Sequence, residues 1–228
     1  MSAMDPPELV ASAQAEPPAV AVRAQLLATE HWSLLATRGL TWSEVMSRIS
    51  IHLTVASASL VVLALVTQAS GFGTAFHVLS IGLTSTVLVL GTMTGIRVHN
   101  ASLDDAALVI GMNRLRAAYR EMDPTLSRYL VTSWNDDAAG VMSTYTMGHD
   151  RHVVSHVVGS TSMFMTITNT IVAGTLGALI ADVSGGGPAA VSILGALTGL
   201  AYLAAMLEIG RRSFGRERGD TRFPSPPP

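Results

Sequence analysis

The sequence predicts an all-α, polytopic membrane protein, with four transmembrane helices as two antiparallel hairpins, a juxtamembrane N-terminal helix and a cytoplasmic helical segment. Three observations predict it. The composition is 49% hydrophobic and only 13% charged, with a mean hydropathy of +0.42, which suits a lipid solvent better than water. The apolar residues are concentrated in four blocks of about the twenty-residue length that a hydrocarbon core requires. Every arginine lies outside the two short turns that join those blocks in pairs.

Other totals exclude function classes. The net charge is -2 with no polybasic run, so recruitment of nucleic acid by phosphate neutralisation is not expected. The chain has no cysteine, which removes disulfide frameworks, thiol nucleophiles and thiolate metal sites together. All 14 basic residues are arginine, a bias from which no function follows.

Residues 1–24 mix proline, alanine and acidic side chains without an apolar periodicity, and are expected to be a disordered tail. A secretory signal is not expected, because no basic start and compact apolar core precede residue 49. Residues 25–48 form the juxtamembrane amphipathic segment, with Leu26, Leu27, Leu34 and Leu35 among Glu30, His31 and Arg38. Trp32 and Trp42 suit the headgroup boundary, where an indole keeps its body apolar and its N–H wet; packing of this segment as a soluble helix is the alternative. Gly39 is expected to break the segment, and Thr41-Trp42-Ser43-Glu44 reads as a capping box that starts a new helix.

Hairpin 1 occupies 49–96: Ile49 to Gln68, a turn at 68–74, then Ala75 to Ile96, closed by Arg97. A turn this short forces its two spans antiparallel. The segment 97–152 is polar. Ser102 with Asp104 and Asp105 resembles a helix start, Leu108, Met112, Leu115, Tyr119 and Met122 share a face, and Pro124 ends the run. A second short helix is expected from about Ser133–Asp137 to Gly148, with Asp136 and Asp137 in its first turn, where carboxylates meet free amides. Hairpin 2 occupies 153–209: Val153 to Ala181, the turn Asp182–Pro188, and Ala189 to Leu207. Residues 210–228 are an Arg/Pro tail. By the positive-inside rule both termini and 97–152 are cytoplasmic, which makes the plasma membrane the expected location.

Four groups of residues carry candidate chemistry. Gly91 and Gly95 in the second span, and Gly195 and Gly199 in the fourth, are spaced four apart and clear one helix face for close backbone approach. Both pairs sit in a Leu-Gly-x-x-Thr-Gly frame, but at different depths, so membrane composition explains the likeness better than an internal repeat does. Ser162, Thr166 and Asn169 form a polar stripe on the third span, either glue between helices or the wall of a polar path. His149, His152 and His156 follow i, i+3, i+7 spacing, and with His99 they are metal-ligand or pH-sensing candidates near the cytoplasmic boundary; interfacial, hydrated imidazoles are the plainer reading. No nucleophile elbow, His-Glu-x-x-His pair or phosphate-binding glycine loop occurs.

The segments Trp32-Ser-Leu-Leu-Ala-Thr-Arg-Gly-Leu-Thr-Trp-Ser-Glu44 and Tyr129-Leu-Val-Thr-Ser-Trp-Asn-Asp-Asp137 resemble segments of actinobacterial multi-span integral membrane proteins. The resemblance implies four helices and no assigned activity, and it transfers no functional residue.

The expectation is a non-enzymatic structural or regulatory membrane component without a cofactor. Its partners would be the lipid bilayer, further copies of itself and an unidentified membrane or cytoplasmic protein, with no nucleic acid. Self-association is expected because the small-residue faces exceed the needs of two hairpins. An oligomeric channel or small transporter lined by the third span is the alternative. A histidine-dependent pH or metal sensor, or a metal-dependent membrane enzyme, is the third.

Overall fold

A computed structural model describes residues 16–149, 153–214 and 220–226. The fold of the described residues is all-α, without a strand. The elements are α1 (Glu16–Ser70), α2 (Thr74–Met122), a 3-10 turn (Pro124–Tyr129), α3 (Ala138–Thr146), α4 (Val153–Val158), α5 (Thr161–Val183) and α6 (Pro188–Phe214). Helices α1, α2, α5 and α6 are each long and apolar enough to cross a membrane.

Two helices are far longer than the sequence led us to expect. The 55 residues of α1 and the 49 of α2 greatly exceed the roughly 20 that span hydrocarbon. Gly39 does not break α1, Thr41 caps nothing, and the helix already begins at Glu16, inside the stretch expected to be disordered. Residues 1–15 lie outside the described residues. Likewise Ser102, Asp104 and Asp105 stand in the middle of α2 rather than at a helix start. In the third apolar block the opposite occurs: Gly159 and Ser160 interrupt it, and the Ser160 side chain caps α5 by accepting from Met163 N–H at 3.2 Å.

The chain divides into two compact units. One comprises residues 1–40, 105–150 and 220–228. Here His31 stacks on Tyr119 at 6.0 Å between ring centres, and the absent side chain of Gly111 leaves room for Leu34. Arg38 donates to both oxygens of Asp105, from Nε at 2.6 Å and Nη2 at 3.3 Å, and the Tyr145 hydroxyl donates to Asp105 at 2.7 Å. These contacts explain why α1 runs on through Gly39. A helix interior glycine costs about 1 kcal/mol relative to alanine, and tertiary contacts along Leu27, His31, Leu34 and Arg38, all half-buried, outweigh it.

The other unit comprises residues 41–104 and 151–219. Val45, Ile49, Val98, Ala101 and Met165 form its buried apolar cluster, with Trp42 packed against them; Trp42 is thus held by protein, whereas Trp32 is 69% exposed. Glu44 accepts from Arg97 at 2.7 Å and from Arg48 at 2.8 Å, an ion-pair role in place of the capping role expected of it. Helices α5 and α6 share an extended seam. Polar ties join α2 to both, Thr92 to Tyr202 at 3.0 Å and His77 Nε2 to Asp182 at 3.1 Å.

Candidate functional site

In the unit of residues 41–104 and 151–219, the Gly91–Gly95 pair meets the polar stripe at Asn169. The Asn169 side chain lies where a side chain on Gly91 would be. A Cβ there would collide with Asn169 Oδ1, approach Asn169 Cγ to 2.9 Å and His52 Cε1 to 2.7 Å, and one on Gly95 would stand 3.6 Å from Asn169 Nδ2. His52 and Asn169 are each only 1% exposed. Among the described residues, neither ring nitrogen of His52, nor Oδ1 of Asn169, has a hydrogen-bond partner. Polar atoms buried without a partner cost on the order of 1–3 kcal/mol each.

Of the stripe's hydroxyls, that of Thr166 is spent locally, donating to Ser162 O at 2.9 Å, and the neighbouring Thr170 hydroxyl likewise donates to Thr166 O at 2.8 Å, whereas the Asn169 amide reaches across to the α2 glycines. Gly195 and Gly199 face α5: a Cβ on either would lie 3.1 Å from a carbonyl oxygen, that of Gly174 or of Thr170. On the α5 side, Gly174 and Gly177 answer them, Gly177 lying against Thr198. Sequence reasoning passed over Gly174, Gly177 and His52. The run Ala173-Gly174, Gly177-Ala178, Ala181 was the available signal for the first two, and nothing local distinguished His52 from a boundary histidine.

The histidine group is not assembled among the described residues. His149 is exposed with Nδ1 3.2 Å from Thr146 O, His99 is half-buried in α2, and His152 and the side chain of His156 lie outside the described residues. No three His, Asp or Glu side chains among those described are gathered to hold a metal.

The second constellation, in the unit of residues 1–40, 105–150 and 220–228, is the loop Asn135–Asp136–Asp137, which grips the C-terminal segment. Asp136 Oδ1 accepts from Phe223 N–H at 2.7 Å and its carboxylate from Arg222 N–H at 3.0 Å, while Asp136 N–H donates to Phe223 O at 3.0 Å. Arg114 Nε completes the Asp136 shell at 2.8 Å, and Arg114 Nη2 donates to Asp220 O at 2.5 Å. Asp137 accepts from Ser225 N–H and Ser225 Oγ, both at 2.8 Å, and also caps α3 through Gly140 N–H at 2.8 Å. Asn135 Nδ2 donates to Pro224 O at 2.7 Å. Only Asp137 therefore plays the capping role expected of this acidic pair.

Both carboxyls titrate below their ordinary values. For Asp136, burial pushes upward, but the Arg222 N–H, the Arg114 guanidinium and the Phe223 N–H together outweigh it. For Asp137, burial likewise pushes upward, and the N–H groups of Gly140 and Ser225 with the Ser225 hydroxyl prevail. A carboxyl whose folded value is depressed stabilises the docked state above the free value of about 4 and ceases to do so as pH falls through the folded value. A fluorophore on an introduced cysteine (Pro226→Cys) is therefore expected to keep a high anisotropy from pH 8 to about 5 and lose it only below about 4. A transition near pH 6.5 would point to a histidine instead.

No family model matches the chain, and no curated protein or solved structure is significantly similar to it.

Proposed function

We propose that the protein is a non-enzymatic, multi-pass component of the plasma membrane with a structural or regulatory role. It crosses the bilayer as two antiparallel hairpins with both termini in the cytoplasm. The arginine distribution supports this orientation, since the turns at 71–73 and 184–187 carry no basic residue. Large apolar side chains exposed along the four helices, such as Leu60, Val78, Ile171 and Leu200, support a lipid surrounding.

One observation carries the structural reading over the channel reading. The polar group deepest in the third span, the Asn169 amide, fills a glycine notch instead of facing an open path, and the Thr166 hydroxyl of the stripe bonds within its own helix. This arrangement suits interhelical packing. It also leaves self-association to other surfaces, because both glycine pairs are consumed inside the chain.

The unpaired atoms of His52 and Asn169 favour the second reading, a proton or ion path that opens at their contact. Reconstituted in liposomes, the protein is expected to give proton and potassium fluxes equal to those of empty vesicles. A flux abolished by Asn169→Leu would replace the structural reading with the channel.

A further inference from the structure

The chemistry by which Asn135–Asp137 holds residues 220–226 identifies what the loop can bind. Recognition is directed at an extended backbone: the N–H groups of Arg222, Phe223 and Ser225 donate to carboxylates, and the carbonyls of Asp220, Phe223 and Pro224 accept. Ser225 contributes the one side-chain hydrogen bond among these contacts, to Asp137. Pro224 and Pro226 stand between and after these donors, where a missing N–H loses nothing. They also keep the segment extended when it is free, which lowers the entropy cost of docking.

Every one of these contacts goes to Arg114 or to residues 135–137. The loop therefore reads a short peptide of defined chemistry, and it has no means of telling whether that peptide belongs to its own chain. We propose that Asn135–Asp136–Asp137 is an interaction surface for the C-terminal segment of a second copy, docked by the same hydrogen bonds that hold the resident one. Copies inserted in one bilayer with one orientation carry loop and segment at the same height, which raises the effective concentration of a neighbour's segment. Exchange of this segment supplies the self-association that the glycine faces, already used inside the chain, do not. The inference rests on the membrane orientation proposed above for delivery of the segment, but not for its recognition.

The natural chain has no cysteine, so single introduced thiols report the exchange. Two full-length chains with different tags are co-reconstituted in liposomes, one with Ala138→Cys and the other with Pro226→Cys, and mildly oxidised. A disulfide between the two tags is expected at least tenfold above that between like tags, and Asp136→Asn with Asp137→Asn in the first chain is expected to reduce it at least tenfold. In a separate arm, a peptide of residues 219–228 carrying the same cysteine labels the Ala138→Cys protein in detergent, and the aspartate changes suppress that labelling. A chain with both thiols that closes on itself, while the mixed disulfide and the peptide adduct stay at background, overturns the proposal. Peptide labelling without a mixed disulfide overturns the exchange between copies. Protease mapping of the same liposomes shows whether the orientation itself had failed.

Discussion

Asp136→Ala is expected to release the C-terminal segment and to destabilise its unit by about 3 kcal/mol, the range seen when one partner of a buried, hydrogen-bonded charge is removed. The carboxylate side chain is 0% exposed and pairs with Arg114, and it also accepts from Arg222 and Phe223 N–H. Arg114 remains 32% exposed, so it recovers part of its hydration, which keeps the loss below the largest values known for such sites. Limited trypsin digestion reads the release directly, because the bond after Arg222 is protected by docking and is followed by Phe223, not proline. Cleavage there should rise at least tenfold, while Asp123→Ala, which removes only the carboxylate that caps the 3-10 turn by accepting from the Thr125 N–H and hydroxyl, should leave it unchanged. Equal protection in wild type and Asp136→Ala would show that the segment is held by something else.

The second large effect is at Gly91. An added methyl would strike Asn169 Oδ1 and lie 2.7 Å from His52 Cε1, and both neighbours are too buried to swing into solvent. Overpacking of this kind costs about 1–3 kcal/mol, and leucine in place of alanine should exceed that. Gly82→Ala is the control in the same helix, since nothing beyond the neighbouring helix backbone lies within 4 Å of the added Cβ; it should be neutral or slightly stabilising by helix propensity. In thermal unfolding of detergent-solubilised protein, Gly91→Ala should lower the midpoint and Asn169→Ala should rescue it, giving a favourable coupling in a double-mutant cycle. Strict additivity of the two changes would mean that the side chains do not meet.

The four apolar blocks were legible because hydrophobic length is a property of sequence alone. Each falls within a long helix, although Gly159 and Ser160 divide the third. Helix ends were not legible. The signals at Gly39, at Thr41–Glu44 and at Ser102–Asp105 are worth about 1 kcal/mol each, and contacts from residues far along the chain override them, as Arg38 and Tyr145 do on Asp105. The polar contact was half legible: Gly91, Gly95 and Asn169 declared themselves by type and spacing, but their meeting, and the presence of His52, are long-range facts. Least legible was the tail. An extended segment has no periodicity, and Asp136 lies 86 residues from its partner Arg222, so residues 220–226 looked like free Arg/Pro chain.

The central claim, that the arginine-bearing ends of four spans share the cytoplasmic compartment, is tested most directly by single-cysteine accessibility. Cysteines placed one at a time at Gly73, Gly186, Ser127 and Ser213 in the cysteine-free chain are exposed in intact cells to a membrane-impermeant maleimide. The account predicts labelling at Gly73→Cys and Gly186→Cys, and at the other two only after the cells are opened. Labelling of Ser127→Cys or Ser213→Cys from outside intact cells would contradict it.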